Sequence, residues 1–225
     1  MNTNNYYDKK LSSLLLAEVY STEIPRINQY LQAEIEFVRK HIRGDETILE
    51  LGAGYGRVIL ELARSCKKIV GIDISPNNIE YGKKLLKDYK NAELVVMDAY
   101  TMQYKNEFDM TICIQNGLSA IKGDTRDLLK KTIDGLKNGG LAFFSSYHPD
   151  FWEYRLLWFY EQAKKGLIGE LDIENCRDGV ITCKDGFYSR SFSKDELSEL
   201  GQQCGMNYWI EEIDESSIFL IIQKL

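Results

Sequence analysis

Along this chain the apolar positions change period, and each change marks an element. In 11–20 and again in 27–42 they recur every three or four residues (Ile27, Tyr30, Leu31, Ile35, Val38, Ile42), the spacing of helices with one buried stripe. Pro25 heads the second segment, where a helix has no use for the missing N–H. At Thr47–Leu51 the helical period gives way to a short aliphatic run with the length and composition of a buried strand. Runs of the same kind recur at 67–73, 92–98, 108–114 and 141–145, with helical patterns between them at 57–64, 77–89 and 125–136. Ser75 and Pro76 supply the N-cap and first position of the second of these helices. Strands alternating with helices predict an α/β fold, a parallel sheet wound by right-handed crossovers that binds its ligands beyond the carboxyl ends of the strands.

Polar and glycine positions gather at that edge. The first strand breaks into Gly52, Gly54 and Gly56, after which Arg57 opens a helix. Without Cβ atoms the backbone turns tightly there and aims its N–H groups at whatever lies above the sheet. Asp73 ends the second strand 21 positions after Gly52, close to the spacing that lets a carboxylate accept both hydroxyls of a ribose. Asp98 ends the third strand and Gln115 follows the fourth, so Glu50, Gly52, Gly54, Asp73, Asp98 and Gln115 all fall on one rim. The loop reads G-x-G-x-G with Glu50 two residues ahead of it, whereas a dinucleotide turn commonly reads G-x-G-x-x-G. A carboxylate there repels a pyrophosphate and suits a ligand that carries an amine and a sulfonium.

These stretches resemble the class I S-adenosylmethionine-dependent methyltransferases. Glu50-Leu-Gly-Ala-Gly-Tyr-Gly56 matches their first motif; Gly71-Ile-Asp73-Ile74, Met97-Asp98-Ala99, the fourth strand into Gln115 and Leu136-Lys-Asn-Gly-Gly-Leu141 continue the likeness over about residues 45–146. The resemblance implies a Rossmann-like, seven-stranded, mostly parallel sheet with helices on both faces and S-adenosyl-L-methionine as methyl donor. It implies that Gly52, Ala53 and Gly54 pack against the methionine moiety and that Glu50 holds its ammonium. By the same likeness Asp73 takes the ribose, Ile74 and Ala99 meet the adenine, Asp98 accepts from its amino group, and Gln115 closes the site near the sulfonium. Gln115-Asn-Gly-Leu stands where nucleobase amino-methylating relatives carry Asn/Asp-Pro-Pro-Tyr, which argues against such substrates.

The last third is less regular. The aromatic passage Tyr147–Tyr160 opens an insertion over 147–192, expected to form a lid, with Phe151, Tyr154, Leu157 and Trp158 expected on one packed helical stripe. Segments 179–183 and 187–192 flank Asp185-Gly186 and predict a β-hairpin; Ser193 and Glu196 form a capping box for a helix over 195–204, and two terminal strands follow. The whole is expected to be one domain: N-terminal helices to residue 44, a cofactor core over 45–146, the lid, and a closing segment over 193–225. The two N-terminal helices are expected to cover one sheet face, with Tyr20 and Tyr30 as candidates to close over a ligand.

Composition narrows the function. The 225 residues carry a formal charge of -6 and no basic run longer than two residues, which argues against a nucleic-acid partner. Five scattered cysteines without a CxxC pair fit reduced thiols and a cytoplasmic protein, and neither a metal set nor an apolar run of membrane-spanning length appears. The expected reaction is in-line methyl transfer to a nitrogen or oxygen of a small molecule. Asn116, Tyr147 and His148 are candidates for acceptor contact, and His148 is the candidate base. His41 is expected to face solvent. Protein or RNA methylation, adenosylmethionine binding without turnover, and in third rank a dehydrogenase are the alternatives.

Overall fold

A computed structural model describes residues 13–225; the polar residues 1–10 and the start of the first predicted helix lie outside them. Seven strands form the main sheet: β1 (Thr47–Leu51), β2 (Lys68–Asp73), β3 (Ala92–Val96), β4 (Phe108–Cys113), β5 (Leu136–Tyr147), β8 (Asn207–Ile213) and β9 (Ser217–Gln223). Their order is β3-β2-β1-β4-β5-β9-β8. The pairs from β3 to β5 are parallel, and β9 runs antiparallel to both its neighbours. The order reverses between β1 and β4, the point at which an open α/β sheet splays to admit a ligand.

Side chains alternate between two cores because both faces of the sheet are covered. Ile48, Ile69, Ile112 and Phe143 pack with α2 (Pro25–Arg39), α3 (Arg57–Leu62) and α4 (Pro76–Leu85). Leu49, Val70, Cys113 and Phe144 point the other way, against α6 (Thr125–Gly135) and α8 (Lys194–Gln203). A third core joins the two parts of the chain whose roles were least defined. Val19 of α1 (Leu14–Tyr20) and Ile27, Tyr30 and Leu31 of α2 pack with Tyr147, Phe151, Trp158, Phe159 and Phe187 of the insertion. Each buried ring contributes roughly 2–3 kcal/mol, so α1 and the insertion stabilise one another.

Local rules explain most boundaries and several differences. Ser75 accepts the Asn78 N–H with Pro76 at the first helical position, and the Ser193–Glu196 capping box is formed in both directions. Residues 137–140, expected to lie ahead of the strand run at 141–145, are the start of β5, a 12-residue strand in which Gly139 takes a φ of 77° and the pairing with β4 shifts register. A four-residue helix, α5 (Gly117–Ala120), follows the left-handed pair Gln115 and Asn116, which periodicity over so short a span does not reveal. The expected aromatic stripe is corrected: in α7 (Trp152–Lys164) Tyr154 and Leu157 are exposed, and the buried face runs Phe151, Arg155, Trp158, Phe159 and Gln162. Arg155 sits on that inner face because its guanidinium donates to the Gly179 and Ser189 carbonyls, at 2.7 and 3.2 Å. Gly179 immediately precedes β6 (Val180–Thr182) and Ser189 is the middle residue of β7 (Tyr188–Arg190), the two strands of the hairpin. His41, expected in solvent, is half-buried between the Phe37 and Phe143 rings with its Nδ1 2.9 Å from the Phe37 carbonyl oxygen. No described helix is long and apolar enough to cross a membrane.

Candidate functional site

The glycine turn between β1 and α3 takes left-handed φ at all three glycines, 68°, 56° and 82° at Gly52, Gly54 and Gly56. Those angles and the close approach of α1 demand glycine at position 54, where an added Cβ would lie 2.9 Å from Leu16 Cδ2. The turn is pinned to its neighbour. Asp73 Oδ2 accepts the Gly54 N–H at 2.9 Å while its Oδ1 accepts the Ser75 N–H at 2.9 Å. One carboxylate therefore holds the β1 turn and the start of α4 together.

Above this turn lies a cleft of about 1130 Å³, counted out to its mouth. Glu50, Gly52, Ala53, Gly54, Asp73, Ile74, Asp98, Ala99 and Gln115 all line it, so the topology brings the nine predicted donor-binding residues to one wall. Asp98 caps a short turn by accepting the Tyr100 N–H at 2.9 Å, and Ile74 stands half-exposed beside it. Helix α1 roofs the cleft with Leu16 and Tyr20. Trp158 holds that helix by donating from Nε1 to the Val19 carbonyl at 3.2 Å.

The cleft's polar atoms are unevenly satisfied. Glu50 Oε2, Gln115 Nε2, and Nε and Nη2 of Arg57 are buried and have no hydrogen-bond partner among the described residues. Buried polar groups are nearly always paired in the functional state, so these atoms mark where ligand groups belong. Burial raises the Glu50 carboxyl to about 8; Arg57 opposes the rise and Asp73 adds to it. Arg57 stacks over Tyr20, 4.6 Å from its ring centre. Sequence reasoning passed over Arg57, though a cation at the first position of a helix opposes the helix dipole and so signals a specific partner.

Gln115 has φ 56°, and its N–H donates to Glu34 Oε2 at 2.6 Å. Glu34 is fully buried in α2 and also accepts from Ser145 Oγ (2.9 Å) and Ser217 Oγ (2.6 Å), tying the ends of β4, β5 and β9 to one side chain. Burial raises it to about 7 against the pull of those three hydrogen bonds and Arg57. Its place on the apolar stripe of α2, three residues after Leu31 and four before Val38, was the sequence signal.

A second cavity, about 600 Å³ counted out to its mouth, shares Leu16, Tyr20, Gln115 and Ala120 with the cleft. Asn116 and Tyr147 line it together with Trp158, Phe159, Gln162, Phe187 and Ser189. Asn116 is committed to the scaffold: its Nδ2 donates to the Arg190 carbonyl at 2.9 Å and its Oδ1 accepts from Ser146 Oγ at 3.1 Å. His148 lines neither cavity. Its Nδ1 accepts the Asp150 N–H at 3.2 Å and its Nε2 lies 3.6 Å from Glu212. The ring sits against β8, outside both cavities and away from the place expected of a catalytic or acceptor-binding residue.

Residues 48–140 match the family model of the methyltransferase domain, and that span contains the glycine turn, Asp73, Asp98 and Gln115. Over that span the chain is similar to the class I S-adenosylmethionine-dependent methyltransferases. A carboxy-S-adenosyl-L-methionine synthase of Desulfotalea psychrophila is 21% identical over 202 residues, 85% of this chain and 82% of that protein. Phosphoethanolamine N-methyltransferase 3 of Arabidopsis thaliana is 32% identical over 108 residues, 45% of this chain but only 22% of that longer protein. Among solved structures, a DhpI–S-adenosylhomocysteine complex superposes with a TM-score of 0.68 at 16% identity, covering 99% of this chain and 95% of the other. That last likeness is one of fold. The unpaired atoms of the methyltransferase cleft fit the family's donor: an acid for an ammonium, a guanidinium for a carboxylate, and a bare glycine turn between them.

Proposed function

We propose that this protein transfers a methyl group from S-adenosylmethionine to a nitrogen or oxygen of a small molecule. The observation that carries the reading is the convergence of unpaired Glu50 Oε2, Arg57 Nε and Nη2 and Gln115 Nε2 on the cleft above the glycine turn. Glu50 would hold the ammonium and Arg57 the carboxylate of the methionine moiety, each a charge-assisted contact in a buried setting. Asp73 would take the ribose, with Ile74, Asp98 and Ala99 around the adenine. Gln115 and the shared wall of the two cavities then separate donor from acceptor. Bound donor supplies an electrophilic methyl on a sulfonium; the protein contributes alignment and exclusion of water. The second cavity is walled by α1, α7 and the β6–β7 hairpin, which suits a small acceptor better than a protein or RNA surface. In this reading 147–192 is the acceptor-side cover and the chain acts as a single domain.

Calorimetry tests the assignment of the two charged ends. Arg57→Met should weaken S-adenosylmethionine binding by roughly ten- to a hundredfold, the value of one charge-assisted contact, and leave methylthioadenosine, which lacks the amino-acid end, unchanged. Equal losses for both ligands would place Arg57 elsewhere, and absence of binding to the wild type would refute the donor reading.

A further inference from the structure

The second cavity has a chemical character that bears on what is methylated, an inference that rests on the donor reading above. Its wall is aromatic, with Tyr20, Tyr147, Trp158, Phe159 and Phe187, and its polar groups are amides and a hydroxyl. Among the described residues no carboxylate, histidine or lysine lines it. The two phenols are no substitute for a base. Burial raises Tyr20 despite Arg57, and raises Tyr147 to about 12 despite Arg155. The charged groups behind the wall are engaged: Arg155 donates to Gly179 and Ser189, and Glu34 accepts from Gln115 N–H, Ser145 and Ser217.

We infer that this cavity is the acceptor site and that it takes a compact, uncharged aromatic or heteroaromatic amine, methylated on nitrogen without a protein base. A hydroxyl acceptor must lose its proton at or before the transition state, and no described residue of this wall is placed to take one. A weakly basic amine arrives with its lone pair free. That lone pair forms the new N–C bond as the S–C bond breaks and its electrons return to sulfur. Positive charge passes from sulfur to nitrogen, and the proton leaves the product to water afterwards. The ring faces accommodate a planar acceptor, and a cation formed among them is favoured over one in a bare apolar hole.

The test supplies S-adenosylmethionine with aromatic and heteroaromatic amines, each paired with its isosteric phenol and benzoate, and follows S-adenosylhomocysteine release with methylated product identified by mass. Amines turned over at least about a hundredfold faster than their phenol partners, the worth of base assistance, support the inference. Phenols or benzoates methylated as fast as amines, or no amine methylated, overturn it. Binding of S-adenosylhomocysteine is measured first: binding with the wrong acceptor preference sinks this inference alone, whereas no binding sinks the donor reading as well. Phe187→Leu, which keeps bulk and removes a ring face, should raise the amine KM about tenfold and leave S-adenosylhomocysteine affinity unchanged. An unchanged KM would also overturn the assignment.

Discussion

With Glu50 holding the ammonium as proposed, donor binding becomes a proton-releasing event. In the free protein burial holds its carboxyl near 8, so at pH 6.5 it is almost wholly neutral. An ammonium placed against Oε2 favours the ionised form, and binding must then expel close to one proton at that pH. The ligand's own amine has a pKa of about 7.7–8.0. Affinity should therefore rise roughly tenfold per pH unit between about 5.5 and 7, peak near 8, and fall beyond it as the ligand's ammonium is lost. The same shift acts on the empty protein. A carboxyl raised from 4.5 to about 8 favours the fold fully below pH 4.5, and that contribution is lost as pH rises toward 8, as much as about 4 kcal/mol. Glu50→Gln should accordingly stabilise the free protein at pH 8 and weaken donor binding by about 2–3 kcal/mol. Calorimetry at pH 6.5 in buffers of different ionisation enthalpy reads the proton directly, with methylthioadenosine as the amine-free control. Buffer-independent enthalpies for S-adenosylmethionine, or the same proton release in Glu50→Gln, would refute the reasoning.

Three further outcomes follow from the geometry. Glu34→Ala strands two hydroxyls and the Gln115 N–H. It should cost about 3 kcal/mol by chemical denaturation, with a larger loss of turnover than of donor affinity. Gly54→Ala forces a side chain into φ 56° and against Leu16, and should cost about 1–2 kcal/mol of stability and weaken donor binding, both readable on the same sample. His148→Asn keeps a capping group outside both cavities and should leave kcat within about twofold, where the loss of a general base costs at least about a hundredfold.

Most of the parallel half of the fold was legible because β1 to β4 are short runs of five or six residues, closed by Gly52, Asp73, Asp98 and Gln115, and because buried strands permit few alternatives. The gathering of Glu50, Asp73, Asp98 and Gln115 around one cleft was legible for the same reason: they occupy equivalent ends of adjacent strands, so topology alone brings them together. The acceptor side was not. Its walls come from α1, β5, α7 and the hairpin, elements distant in sequence whose mutual packing no local period encodes. The aromatic passage shows why: Phe151, Tyr154, Leu157 and Trp158 make a plausible stripe, but the buried face turns on Arg155, which two carbonyls of the hairpin accept inside. His148 misled in a simpler way. Adjacency to a strand end in sequence does not say which way the chain leaves the sheet.

Glu34 explains why an N-terminal helix is part of the site and not only a cover for the sheet. Gln115 and Asn116 both adopt left-handed backbone, a costly pair for residues with side chains. That conformation turns one side chain toward the donor cleft and the other toward the second cavity. Within the core segment the Gln115 N–H has no strand to bond, and the carboxylate that accepts it comes from α2. Glu34 also holds Ser145 and Ser217, so the strained pair is braced against the two strands beside it. The third hydrophobic core then locks α2 to α1 and the insertion. The wall between the two cavities is thus set by a helix lying outside the 48–140 methyltransferase match, and changes in α2 should alter acceptor alignment before they alter donor binding.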